Sequence, residues 1–208
     1  MSARQESTVV RIKDLSVQRD GREICHVPEL LVQSTERIGV IGPNGSGKTT
    51  LLRVVAGFEP SSSGTCHSDA APRDCVFVHQ APQLFRGSVL NNVIYGLSAR
   101  GVPRSQRRSL AQEWLRRVGL EEFLDRDTST LSGGETRRVA IVRACILQPK
   151  LLLLDEPFAD LDSSGIRLVQ DAIAALSDST VLIASPTPLP ESLPHRRFVL
   201  ESPMRASG

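Results

Sequence analysis

Gly42-Pro-Asn-Gly-Ser-Gly-Lys-Thr-Thr50 is the stretch from which the rest of the chain is read. Before it, Arg37-Ile-Gly-Val-Ile41 is a short apolar run suited to a buried strand, and after it Leu51-Leu-Arg-Val-Val-Ala56 has helical spacing. Strand, glycine-rich turn and helix in that order make the context in which G-x-x-x-x-G-K-[ST] folds as a phosphate-binding loop. Gly42, Gly45 and Gly47 take backbone angles that a Cβ would block, so successive N–H groups turn inward as an anion nest. The nest opens onto a helix N-terminus, whose unpaired N–H groups and positive dipole end also attract phosphate. Lys48 then reaches the β- and γ-phosphates as a point charge and the Thr49 hydroxyl ligates Mg²⁺, with Pro43, Asn44, Ser46 and Thr50 completing the loop. The ordinary alternative is a glycine-rich turn that binds nothing.

At 208 residues the chain is one large domain or a domain with a small insertion, and it is long enough to bury a core. A net charge of +2 is too small to argue for nucleic acid. No apolar run approaches the ~18 residues of a membrane span, and Met1 to Thr8 does not read as a signal peptide, so the chain is expected in the cytoplasm. The four cysteines, Cys25, Cys66, Cys75 and Cys145, are far apart with no C-x-x-C pair, which points to reduced thiols rather than a zinc site.

Around the loop the chain reads as α/β. Val9 to Val17 alternates as a strand and Asp20-Gly21 is a hairpin turn, with Glu29 to Gln33 continuing a small antiparallel layer. Pro60 to Gly64 reads as a loop and Asp74 to His79 as a strand ending at Gln80. From Gln83 to Arg143 strands give way to helical periodicity, including Ser88 to Leu97 and Pro103 to Val118, the latter with Leu110, Trp114, Leu115 and Val118 on one face. Arg104, Arg107, Arg108, Arg116 and Arg117 lie opposite, without interleaved aromatics, and read as a solvated face rather than a nucleic-acid surface. Leu151 to Leu154 and Thr180 to Ala184 are unbroken apolar runs, as in strands buried on both faces of a parallel sheet. Arg197 to Leu200 reads as the last strand.

Two further strings carry chemistry. Asp155 and Glu156 close the Leu151 to Leu154 strand, at the carboxyl edge where open parallel sheets bind ligands. Asp155 is placed to hold Mg²⁺ and Glu156 to polarise a water for attack on the γ-phosphate; the alternative is a pair of solvated carboxylates. Leu131-Ser-Gly-Gly-Glu135 precedes the helical run Thr136 to Ala144, so Ser132, Gly133 and Gly134 form a second anion site at a helix N-terminus, or else a serine cap with a tight turn. One nucleotide has no evident need of two nests on one chain. The second therefore serves the nucleotide of another copy, in a head-to-tail dimer with two composite sites.

With these strings in place the sequence resembles the ATP-binding cassette (ABC) ATPases over nearly its whole length. Gly42 to Thr49 corresponds to the family's Walker A, Leu131 to Glu135 to its signature, Leu151 to Glu156 to Walker B with the catalytic glutamate, and Ala159-Asp-Leu-Asp162 to the D-loop. Gln80 falls at the Q-loop glutamine, which senses the γ-phosphate and Mg²⁺ and contacts the membrane partner; locally it is equally a strand-end residue. Asp160 and Asp162 are equally N-caps of the next helix.

The resemblance implies a P-loop NTPase parallel-sheet core with a small antiparallel layer and an inserted helical subdomain. It implies a single nucleotide-binding domain over 1–208, with 1–82 and 145–208 as the catalytic core and 83–144 as the subdomain carrying the signature. It implies an ATPase using ATP and Mg²⁺, peripheral on the inner face of the cell membrane. There it would work with a second copy or a homologous cassette beneath transmembrane permease subunits, touching the membrane only through them and binding no nucleic acid. The Pro82 to Leu97 stretch and Glu135 look like importer cassettes, particularly those for oxyanions such as tungstate or molybdate.

Two positions depart from the family pattern. Pro186 stands where a switch histidine is usual and Thr187 where an acid is common, Pro188, Pro190 and Pro194 disfavour a helix there, and His195 comes about nine residues late. That departure implies slow hydrolysis, or a nucleotide-gated module that binds ATP and turns over poorly. Arg19 falls where an aromatic usually stacks on adenine, and a guanidinium plane can take that role.

Overall fold

The computed structural model describes residues 7–202; most of the Met1 to Thr8 stretch read above for a leader lies outside them. The chain divides into two compact units. The first comprises the residues up to Phe77, Lys150–Glu156 and those from Asp178 onward; the second comprises Val78–Pro149 and Pro157–Ser177.

The first unit opens with β1 (Thr8–Arg19) and β2 (Arg22–Gln33), an antiparallel hairpin in which Arg19 pairs with Arg22. Asp20 and Gly21 both have positive φ, at 50° and 74°, the backbone that a two-residue turn matching strand twist requires. β3 (Arg37–Ile41) leads into the phosphate-loop residues and α1 (Lys48–Val55). β4 (Ser63–Ser68) returns to pair with β1, giving a three-stranded sheet in the order β2-β1-β4. Pro28 sits in β2, an edge strand, where a missing N–H breaks no ladder on the open side.

The second sheet is built from β5 (Cys75–Val78), β6 (Leu151–Asp155), β7 (Thr180–Ser185) and β8 (Arg196–Val199) around β3, in the order β5-β6-β7-β3-β8. The pairings of β3 with β7 and β8, and of β6 with β7, are parallel. β6 and β7 are buried at every position, as their unbroken apolar runs require. α1 contacts β6 and β7 on one side and β2 and β4 on the other, so both sheets bury their apolar faces in one core through Leu51, Leu52, Val54 and Val55.

The second unit is helical: α2 (Val89–Ile94), α3 (Arg104–Arg117), α4 (Gly133–Cys145) and α5 (Ser163–Ala174). α3 buries Ala111, Trp114 and Leu115, with Val118 following, while Leu110 is half-buried. Opposite them, Arg108 pairs with Asp125 at 2.7 Å, Arg116 with Glu121 at 2.6 Å and Arg117 with Glu113 at 3.0 Å. These guanidiniums are satisfied locally, as expected of a solvated face. The segment between β7 and β8 contains no helix, and Leu189 and Leu193 anchor it in the first unit.

Candidate nucleotide-binding site

The first unit brings the loop residues 42–50 together with Asp155 and Glu156. Gly47 caps α1 in the left-handed region at φ 93° and offers no side chain to the helix, so the first-turn N–H groups are left for a ligand. A Cβ on Gly47 would lie 2.7 Å from the Cβ of Cys25, and one on Gly42 would lie 2.7 Å from the Ser46 hydroxyl and overlap the Leu200 carbonyl. The hairpin and the residue after β8 thus hold the loop from two sides, and only glycine admits both approaches.

Lys48 is buried, 5% exposed, and its ammonium donates to the carbonyls of Gly42 at 2.8 Å and Pro43 at 2.9 Å. Burial leaves its pKa below the usual lysine value, and the Glu156 and Asp155 carboxylates offset this only in part. A third donor on the ammonium remains for a phosphate oxygen.

The Thr49 hydroxyl donates to both carboxylate oxygens of Asp155, at 2.9 and 3.1 Å, and Asp155 is itself buried. One hydroxyl and one carboxylate are a small, hard, all-oxygen set of the type that Mg²⁺ uses alongside substrate phosphates, so the residues present fit that ion. Glu156 follows with φ 48°, unusual for a residue with a side chain, and its N–H is fixed on the Ala184 carbonyl at 3.0 Å. The turn that directs its side chain is therefore set by β7. Ile41 is in register with Ser185, and the Gly42 N–H donates to the Ser185 carbonyl at 3.3 Å, so exposed Pro186 follows directly beside the start of the loop.

The second unit carries Gln80, the Leu131 to Glu135 string and residues 159–162. Ser132 caps α4: its hydroxyl accepts from the Glu135 N–H at 3.3 Å, and its own N–H donates to the Glu135 carboxylate at 2.7 Å. The Ser132 and Gly133 surface is exposed. The Ser132 N–H bond, then the hydroxyl and the Arg126 and Arg138 charges, hold the Glu135 carboxyl below its ordinary range despite partial desolvation. Asp162 is the N-cap of α5, its carboxylate accepting from the Gly165 N–H at 2.7 Å. Asp160 is not a cap; it has φ 57° and its side chain is 86% exposed.

Residues 26–159 match the family model described as ABC transporter. The chain belongs to the ABC transporter family. The ATP-binding subunits of that family bind ATP and are ATPases. The chain is 34% identical over 183 residues to the tungstate uptake system ATP-binding protein TupC of Peptoclostridium acidaminophilum, covering 84% of this chain and 85% of that one. It is 36% identical over 180 residues to the Fe(3+) ions import ATP-binding protein FbpC of Escherichia coli (strain K12), covering 82% of this chain. It spans about half of FbpC, 52% of that protein's length. Among solved structures, cbiO1 from Clostridium perfringens, part of the ABC transporter complex cbiONQ, superposes with a TM-score of 0.80 at 27% identity, over 94% of this chain and 85% of that one.

One residue that the sequence reading passed over is Arg137. It is 9% exposed, and its guanidinium donates to the carbonyls of Gln80 and Ala159. Its signal was a basic residue at i with Ile141 and Ala144 at i+4 and i+7, an arginine on the apolar face of α4.

Proposed function

We propose that this chain is the ATP-hydrolysing subunit of an ABC importer, forming one nucleotide-binding domain that works as a head-to-tail dimer beneath a membrane permease. The observation that carries the reading is the Lys48, Thr49, Asp155 and Glu156 cluster in one unit, together with a separate capped, exposed nest at Ser132 to Gly134 in the other. Lys48 and the loop N–H groups bind the triphosphate and offset its charge. Thr49 and Asp155 would hold Mg²⁺, with Gln80, and the ion would neutralise charge developing on the phosphoryl oxygens. Glu156 orients and polarises the attacking water. Ser132, Gly133, Gly134 and Glu135, with Asp160 and Asp162, complete the site of the facing copy or of a homologous cassette.

The named relatives take up tungstate or import iron, and an oxyanion or other small solute is the corresponding cargo here. Among the described residues no helix is long and apolar enough to cross a membrane, which suits a peripheral place on the inner membrane face, reached through the permease. The test is equilibrium binding of labelled ATP to wild type and Lys48→Ala. The variant should bind at least about 100-fold more weakly, because a charge-assisted phosphate contact and its neighbours are lost; unchanged affinity would contradict the loop's role.

A second reading, a cassette that closes on ATP but hydrolyses slowly, is favoured by Pro186, which offers no proton-bearing group beside Gly42.

A further inference from the structure

The buried guanidinium of Arg137 ties together three segments that are distant in sequence. From α4, Nη2 donates to the Gln80 carbonyl at 2.8 Å, Nη1 donates to the Ala159 carbonyl, and Nη2 lies 3.5 Å from the Asp160 carboxylate. The Asp160 side chain is mostly in solvent, so that ion pair contributes little. What remains is a buried cation facing backbone carbonyls, an arrangement that costs desolvation and for which a well-packed apolar side chain would be the more stable choice. Its distinctive property is geometric. A planar guanidinium fork fixes two acceptors at a set separation, as an ammonium cannot. A second contact joins the same parts: a Cβ on Gly134 would sit 3.4 Å from the Leu161 side chain, so the first turn of α4 lies directly against the 159–162 loop. Asp160 then holds a left-handed backbone immediately after the pinned Ala159 carbonyl.

We propose that Arg137 is a positioning residue for ATP hydrolysis, its fork holding the Gln80 and Ala159 carbonyls to the helix that begins at Ser132. Gln80, the 159–162 loop and the Ser132 nest then keep fixed spacing, and a shift of one carries the others. The inference rests on the proposed function only in assigning those three segments to the nucleotide. The clamp itself is independent of it.

The experiment pairs backbone hydrogen exchange without nucleotide with steady-state phosphate release, on wild type, R137M and R137K. In R137M, exchange in 79–83 and 158–162 should rise together by about tenfold or more, with no change over 48–52. For the same variant, kcat should fall about tenfold or more, with KM for ATP within about twofold. R137K keeps the charge but not the fork; it should restore protection in at most one of the two segments and leave kcat low. Unchanged kcat, a loss wholly in KM, full rescue by R137K, or a uniform rise along α4 would overturn the proposal. If R137M does not unfold cooperatively, R137K alone is the test: protection lost in at least one of the two segments, with kcat low and KM within about twofold, supports the clamp, and wild-type protection in both overturns it. A wild type that releases no phosphate overturns the ATPase reading instead, while paired loss of protection in the two segments would still support the clamp.

Discussion

The Thr49 hydroxyl and the Asp155 carboxylate, 106 residues apart in the chain, meet through bonds of 2.9 and 3.1 Å at the buried end of β6. The pair joins the loop to the acidic strand end, and under the proposed function it would hold the phosphate-bound cation. Replacing Asp155 by Asn keeps the shape and removes the charge. We expect ATP hydrolysis to fall about 100-fold or more and the Mg²⁺ concentration for half-maximal rate to rise at least about tenfold, a loss of about 1.4 kcal/mol in metal affinity. A magnesium titration of phosphate release checks this.

Glu36 links the β2 to β3 corner to β8 through Arg196, at 2.5 and 3.2 Å. Burial pushes the Glu36 pKa up, but the Arg196 hydrogen bond, the Gln33 N–H and the Arg196 charge together leave it below its ordinary 4.5. The folded state therefore holds this proton less readily than the unfolded chain. The pair stabilises at pH above 4.5 and is lost as pH falls through the depressed folded value. In urea unfolding, Glu36→Gln should be less stable than wild type by about 1 kcal/mol at pH 7, with the gap narrowing as pH falls below 4.5.

Pro186 follows Ser185, which is in register with Ile41 beside the loop. Pro186→His would place an imidazole at that strand end. Steady-state phosphate release should rise by about tenfold, the scale of one added hydrogen-bonding group in the transition state, with ATP affinity unchanged. No change, with wild type already turning over quickly, would show that another group fills the role.

Much of this architecture was legible because its strongest signals are local. Asp20-Gly21 specified the hairpin turn, the unbroken leucines at 151–154 specified a strand buried on both faces, and Ser132 with its two glycines specified a helix start. The strand Ser63–Ser68 was not legible, and its opening residues read as a loop. It is polar, with four of its residues exposed, and it exists by pairing with β1 around a bulge, where Gly64, at φ 71°, packs against the Asp14 backbone. That is a tertiary constraint which hydrophobic periodicity does not register. Asp160 and Asp162 could not be told apart in the sequence; the N–H of Gly165 separates them by choosing Asp162 as the cap. The segment 186–194 read correctly as non-helical from its prolines. The packing of the His195 ring against Gly39, with its Nδ1 on the Leu193 carbonyl at 2.6 Å, was not readable, because it depends on a strand far away in the chain.

Under the proposed function the exposed Ser132 nest of one copy completes the Lys48 loop of another. Glu156→Gln keeps the φ 48° turn and the Ala184 bond while removing the carboxylate proposed to activate water, so bound ATP should persist. Light scattering on the size-exclusion peak of this variant, with saturating Mg-ATP and with ADP, is the direct measurement. A dimer with ATP that reverts to monomer with ADP, and that Ser132→Arg abolishes while leaving ATP affinity unchanged, is the predicted result. A monomer under both nucleotides, with ATP demonstrably bound, would contradict it.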